Sequence, residues 1–565
     1  MIKHLSGYIL LLFCMPMLTV SQTIVTTRHN LSVSGPGNIK ATSESEICIF
    51  CHAPHNARPD KPLWNRVDPG LTYTLYTSST TQALPGQPDG ASILCLSCHD
   101  GTIALGSIMS RANPILMAGG VTTMPSGVNN FTKDISNDHP ISFLYDAALA
   151  AADGELLNPA NLTGPVKLEN GKLQCTSCHD PHKNVNTSFL VETTQNSNLC
   201  LVCHTPSNWT GSSHQTSTKG WNNVAPDPWF HTPYTTVAQN GCENCHNPHS
   251  AGGKLRLMNF LPEENNCLDC HNGNVAVKNI QAQETKAYRH NEYSYTGIHD
   301  PTESALVNLN HVECVDCHNA HQANNTPASA PNVNGFNKGV KGIDQSGNSV
   351  NPSVYEYQIC YRCHTNTPGM APPATARVIA QGNVRLQFAT TNPSFHPVVG
   401  PLNNNEITGN LIAPNTASTI LYCTACHASD GTAAPAGPHG SIYPQILKLQ
   451  YLKADGNSNS QGTTESAAAY ALCYSCHNRN NIINDINTFR YHHKHIVELR
   501  TPCNTCHEQH GVGSPGTLTN NSNLINFRTG VVTPSGGIIR FTDTGVRHGS
   551  CTLVCHGENH NPETY

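Results

Sequence analysis

Charge is scarce in this chain. Only 12% of its 565 residues are charged, and 31 Lys and Arg against 37 Asp and Glu leave a net charge of −6. There is no basic excess of the kind that nucleic-acid phosphates demand, so nucleic acid is excluded as a partner. Apolar residues are short as well, at 38% with 6% aromatic, below the roughly 45–50% of an ordinary globular chain. So small a net charge nevertheless gives the polypeptide no reason to stay expanded. Something other than side chains must fill its interior. Long hydrophobic runs are lacking too. The apolar stretch from Tyr8 to Val20, behind Lys3 and His4, is too short for a bilayer span of about 20 residues, and nothing comparable follows it. With Thr19 and Ser21 as small cleavage-site residues, 1–21 are expected to be an export signal. The mature chain is then exported and has no transmembrane segment. Cys14 follows the large Phe13, where a lipoprotein signal places a small residue, and is read as removed with the signal.

What the chain has instead is cysteine and histidine, 25 and 32 of them, with 43 Gly and 38 Pro. Outside Cys14 every cysteine falls in a closely spaced pair, and every pair is followed directly by histidine. The first six motifs are Cys48/Cys51/His52, Cys95/Cys98/His99, Cys175/Cys178/His179, Cys200/Cys203/His204, Cys242/Cys245/His246 and Cys267/Cys270/His271. The series continues with Cys314/Cys317/His318, Cys360/Cys363/His364, Cys423/Cys426/His427, Cys473/Cys476/His477 and Cys503/Cys506/His507. The last, Cys551/Cys555/His556, is longer by one residue.

An even number of cysteines in an exported chain would ordinarily predict disulfides, but disulfides do not explain a histidine after every pair. Zinc sites join two cysteine pairs, or a pair with spaced histidines. C-x-x-C-H is the attachment signature of c-type haem. Its two thiols reach the two vinyl-derived carbons of one porphyrin edge, and the adjacent histidine swings beneath the ring to the iron. Twelve covalently bound haem c groups are therefore expected, one for roughly 45 residues of mature chain. The macrocycles supply the missing core. Their propionates make the holoprotein clearly acidic.

The motifs fall into six consecutive pairs, which divide the mature chain at 22–130, 131–220, 221–280, 281–375, 376–485 and 486–565. The first motif of a pair usually continues as C-H-x-x-H, placing His55, His182, His249, His321 and His510; the fifth pair breaks the rule, and its next histidine is His439. Polar stretches at Asn324 to Val350, Ala454 to Thr464 and Gly511 to Gly537 read as surface loops. Histidines suffice for a second axial ligand on every iron. One upstream histidine with one from the C-H-x-x-H position would serve each pair: His29 with His55, His139 with His182, His231 with His249, His299 with His321, His396 with His439, and His495 with His510. His290 and His311 compete with His299, and His492 and His493 with His495; His560 is a credible ligand, and His214 and His548 have weaker context. A histidine three residues beyond the proximal ligand cannot reach the opposite face of its own haem, so the C-H-x-x-H histidines are expected to reach the iron of an adjacent one.

The run Thr27-Arg28-His29-Asn30-Leu31-Ser32-Val33-Ser34-Gly35-Pro36-Gly37, the run Ser136-Asn137-Asp138-His139-Pro140-Ile141-Ser142-Phe143 and the doubled motifs resemble multihaem cytochromes c of metal-reducing bacteria. The resemblance implies bis-histidine haems of low potential that carry electrons through the periplasm, across the outer membrane or beyond the cell. It implies an elongated, mostly irregular fold with short α-helices at the motifs and little β structure. Partners would be redox cytochromes, an outer-membrane porin or identical subunits in a filament. The alternative is a multihaem reductase of a small nitrogen or sulfur oxyanion, which needs one open haem; the lengthened Cys551 motif would be its place.

Overall fold

A computed structural model describes residues 23–58, 63–294, 297, 299–303, 311–365, 373, 375–402, 409–455 and 462–565. The export signal, with Cys14, lies outside these residues, as does part of the Ala454 to Thr464 stretch. The chain forms two compact units. One comprises the chain up to Tyr76, Gln82–Thr194 and Asn198–Cys203; the other comprises Thr77–Thr81, Gln195–Ser197 and His204–Tyr565. Four motifs' cysteines fall in the first and eight in the second, so compactness groups the six pairs more coarsely than their spacing does.

Helices are short because glycine, proline and asparagine interrupt them. The longest, Gly90–His99, carries the second motif and ends at Asp100 and Gly101, where φ is 74°. Ala147–Asp153 is a complete small helix: Asp146 accepts a hydrogen bond from the Leu149 N–H at 2.8 Å at its start, and Gly154 takes the left-handed conformation at its end. Strands are mostly two-residue antiparallel pairs, such as Phe143–Leu144 with Lys172–Leu173 and Ser394–Phe395 with Gly511–Val512. The exception is a sheet at the C-terminus. Its central strand His548–Cys555 pairs with Arg540–Gly545 and Val532–Thr533 on one edge and Glu558–Thr564 on the other.

Among the described residues the buried apolar side chains form no single core. Small apolar clusters instead border the motif cysteines: Phe50, Leu105, Ile108 and Met117 beside Cys51 and Cys98, Leu447, Tyr451 and Tyr470 beside Cys473 and Cys503, and Phe527, Val532, Phe541 and Leu553 beside Cys506, Cys551 and Cys555. The mostly irregular architecture is as expected, but two stretches read as surface loops are not. Val512 and Ile343 are fully buried, and Val532 nearly so. Polar composition hid them, because the few buried apolar side chains, Val340 and Ile343 in one stretch and Val512, Phe527 and Val532 in the other, are scattered among polar neighbours.

Polar groups do interior work that a conventional core would leave to hydrocarbon. Arg66 is wholly buried, and its guanidinium donates to the carbonyls of Leu105 (2.8 Å), Ser97 (2.9 Å), Ala104 (3.1 Å) and Ser107 (3.3 Å) and to Ser97 Oγ (3.3 Å). It thereby fixes the chain that follows the second motif against the segment between the first two. Substituting Arg66→Met strands these acceptors, and leaving buried groups unsatisfied costs about 1–3 kcal/mol each before relaxation. The expected net loss is on the order of 3 kcal/mol, read as a lower denaturant midpoint of the holoprotein; a midpoint unchanged from wild type would refute this role.

Candidate haem-binding sites

Eleven of the twelve motifs share one local structure. The two cysteines close a single helical turn, seen as Cys175–Cys178 and Cys314–Cys317 in α form and Cys48–Phe50 and Cys503–Thr505 in 3₁₀ form. The motif histidine then donates its N–H to the first cysteine's carbonyl, at 2.8 Å for His52, 3.0 Å for His179 and 2.9 Å for His507. Three residues on a helical turn put the two thiols on one side, as a shared porphyrin edge requires. The twelfth motif is different: Cys551 and Cys555 lie along the extended strand His548–Cys555.

Across from nine motif histidines stands a second histidine ring at nearly constant separation. The pairs and their centroid distances are His99 with His29 (6.2 Å), His52 with His182 (6.1 Å), His271 with His214 (6.4 Å), His246 with His321 (6.2 Å) and His364 with His290 (6.3 Å). The remaining four are His318 with His439 (6.1 Å), His477 with His396 (6.4 Å), His427 with His510 (6.0 Å) and His507 with His492 (6.3 Å). Metal to imidazole-nitrogen bonds are about 2 Å, so an iron held between two opposed rings separates their centroids by roughly 6 Å. The residues present therefore fit a six-coordinate haem at these nine positions.

Ring orientation agrees. Nδ1 of His99, His246, His318, His427 and His507 meets the backbone carbonyls of Asn129, Arg256, Phe336, Gln445 and Asn523 at 2.8–2.9 Å, which leaves Nε2 for a metal. On the facing side His29 uses Pro181 O (3.1 Å), His214 uses Ala320 O (3.0 Å), His492 uses Thr488 Oγ1 (2.9 Å) and His510 uses Gln387 Oε1 (2.7 Å). Burial, and after it the facing ring, pushes His246, His271, His364, His439 and His477 down to about 4 and His492 and His510 to about 3. These imidazoles are neutral at physiological pH, the form that binds metal.

A recurrent backbone device holds the first histidine of several pairs. Downstream of the third, fifth, ninth and eleventh motifs, two successive residues are left-handed: Ser188 and Phe189, Arg256 and Leu257, Gln445 and Ile446, Asn523 and Leu524, all with φ between 53° and 61°. The first residue of each dipeptide supplies the carbonyl that meets Nδ1 of the motif histidine, at 2.8 Å for His179 on Ser188. The residue after the dipeptide makes an antiparallel bridge to that histidine. Non-glycine residues in this region are strained.

The cysteines give the order of the sites within each unit. Inside a pair the second thiols are neighbours: Cys51 and Cys98, Cys178 and Cys203, Cys245 and Cys270, Cys426 and Cys476. Between pairs the first thiols are close neighbours: Cys95 with Cys175, Cys267 with Cys314, Cys360 with Cys423, Cys473 with Cys503. Successive motifs are thus spatial neighbours in sequence order, by two alternating modes. Side chains from one helical turn pin the next: Ser92 Oγ accepts the Cys175 N–H at 3.0 Å, and Glu356 Oε2 accepts the Cys423 N–H at 2.8 Å. In the second unit the motifs from Cys360 onward open on one connected cavity of about 1710 Å³, lined by His364, His427, His477, His507 and their facing rings.

Several expected partners fall elsewhere. His182, His321 and His510 do face a neighbouring site, but it is the first motif of the preceding pair and not the other motif of their own. His439 takes the same role although no C-H-x-x-H carries it. His231 turns Nε2 to the Glu243 carbonyl (3.0 Å), and the ring facing His271 is that of His214. His299 lies among carboxylates, 2.5 Å from Glu313. Burial lowers its pKa, but Glu313, Asp316 and Glu303 together hold it above the ordinary value; the ring facing His364 is that of His290. His492 replaces His495, whose Nδ1 meets the Tyr491 carbonyl at 2.7 Å. His55 is exposed, His139 places Nδ1 3.0 Å from the Pro140 carbonyl, and the His249 N–H bonds Asn247 Oδ1 at 3.2 Å. Ser92, Glu356 and the left-handed dipeptides had no sequence signal beyond their nearness to a motif.

Such turns and opposed imidazoles define a multihaem c-type cytochrome, and the comparisons with known proteins agree. The family model of the doubled CXXCH motif matches residues 166–208 and 231–276. The chain is similar to the C-type polyheme cytochrome OmcB of two Geobacter sulfurreducens strains, 24% identical over 507 residues, 79% of this chain and 60% of the relative. It thus aligns with only part of those longer proteins. Among the described residues no helix is long and apolar enough to cross a membrane.

The exposed Ser188 isolates the cost of the left-handed device. Ser188→Gly is expected to raise stability by about 1 kcal/mol, and Ser188→Val, β-branched, to lower it by about 1–2 kcal/mol. Denaturant midpoints of the two variants check the pair; equal midpoints would remove the strain from the account.

Proposed function

We propose that this chain conducts electrons along a row of bis-histidine haems in the exported compartment, between a periplasmic donor and an outer-membrane partner or extracellular acceptor such as a metal. The single observation that carries the reading is the set of nine opposed imidazole pairs at 6.0–6.4 Å, which leaves no open face for a substrate at those irons. When bound, haem supplies the one-electron iron couple. The chain does the rest. Its helical turns aim two thiols at one edge, its backbone carbonyls fix Nδ1 so that Nε2 points inward, and burial keeps the rings neutral. Thiol adjacency in sequence order supports close, fixed spacing between successive sites within each unit, which rapid transfer requires.

The proposed axial ligands are the nine pairs, with His179 and His204 as further motif ligands and His139 and His249 as distal ones. Two motif cysteines, Cys48 and Cys426, are exposed. There a redox cytochrome, a porin-bound partner or an identical subunit would meet a haem edge most directly. The count of twelve haems rests on the sequence; eleven motifs have the turn that supports it. A reductase would need an iron with one side open, and the nine pairs favour the conductor.

His182 tests the scheme, because its ring faces His52 while its own motif histidine is His179. His182→Ala is expected to leave the Cys175 haem attached and low-spin and to turn one other haem per chain, that at Cys48, high-spin and able to bind carbon monoxide when reduced. Electron paramagnetic resonance and carbon monoxide titration read this. Retention of a fully low-spin spectrum, or loss of ligation at the Cys175 haem, would defeat the assignment.

A further inference from the structure

The twelfth motif is the one whose shape does not suit a haem. Cys551 and Cys555 have three residues between them along a strand with a register irregularity between Cys551 and Leu553; extended chain of this length rises roughly 13 Å when regular, where a helical C-x-x-C spans roughly 5 Å. Both are fixed in register, Cys551 opposite Phe541 and Glu563, Cys555 opposite Val532 and Glu558, with partners on both edges. His556 follows in a left-handed turn at φ 50°. Its ring is reversed relative to the motif histidines above: Nε2 meets Asp455 Oδ1 at 2.8 Å, and Nδ1 is buried without a hydrogen-bond partner.

Asp455 is a fully buried carboxylate, and its other oxygen accepts from Thr505 Oγ1. Thr505 belongs to the eleventh motif. The carboxylate therefore joins His556 to the neighbouring haem-binding turn, and moving His556 onto an iron would leave a buried charge without its second partner. The hairpin meanwhile packs Leu553, Phe541 and Val532 near Cys506, forming one wall of the space at the eleventh site.

We propose that the Cys551–His556 segment is a haem-free clasp, in which His556 bonds Asp455 and closes the C-terminal sheet over the eleventh haem site. The proposal rests on reading the other eleven motifs as haem sites. It assigns the protein eleven covalent haems and two retained thiols.

Intact mass of the full holoprotein, with iodoacetamide labelling after denaturation, tests it directly. The expected result is eleven haems and two alkylated cysteines at 551 and 555; twelve haems with neither labelled would overturn the clasp, whereas a haem-free mass would overturn the cytochrome reading itself. Two variants test the role of His556. His556→Ala should raise amide exchange across 540–564 at least about tenfold while leaving haem count and spin state unchanged. His556→Gln, whose amide can still donate to Asp455 but cannot hold iron low-spin, should restore wild-type protection. Appearance of one high-spin haem in His556→Gln would show that His556 is an iron ligand and end the proposal.

Discussion

The constraint on which this structure depends is that two imidazoles from different parts of the chain must oppose each other across an iron-sized gap. A motif histidine is placed locally by its helical turn. Its counterpart comes from as far as 130 residues away in the His52 and His182 pair and 121 in the His318 and His439 pair. All the opposed pairs but His492 with His507, which are 15 residues apart, are thus long-range tethers. This is why a chain with so few apolar residues closes into compact units around several small clusters, and why most of its secondary structure consists of single turns and two-residue ladders. Regular elements would consume residues that the tethers need for reach.

Local strain serves the same constraint. A left-handed dipeptide bends the chain back so that one carbonyl meets Nδ1 of the motif histidine and the next residue bridges to it. The unfavourable conformation persists because the surrounding bonds over-determine it. Buried polar groups act in parallel. Ser92 and Glu356 each satisfy the N–H of a first cysteine one motif onward, so the end of one turn specifies where the next begins. The alternation of second-thiol and first-thiol contacts follows from the chain running forward through these junctions.

Much of the chemistry was legible without coordinates. Fusion of a histidine to each cysteine pair identified the attachment motif, and the shortage of apolar residues implied a core made of something else. The polar runs misled at Val512 and Ile343, because a few buried side chains scattered among polar residues leave no periodicity to read. Distal histidines misled more often. His231, His299 and His495 stood at plausible spacings, but nothing along the chain reveals that Glu243 offers a carbonyl, that three carboxylates surround one ring, or that Thr488 orients His492.

The sequence by itself determined the covalent side of each site: two thiols and a proximal imidazole lie within five residues, so local geometry suffices to specify them. Tertiary structure alone decided the facing imidazole, the spatial order of sites within each unit and the departure of the last motif. Those depend on which distant backbone arrives opposite a ring and which strand pairs with Cys551. A C-H-x-x-H histidine looks alike in every repeat, and only the course of the chain in space sends His182 back to the first motif of the preceding pair.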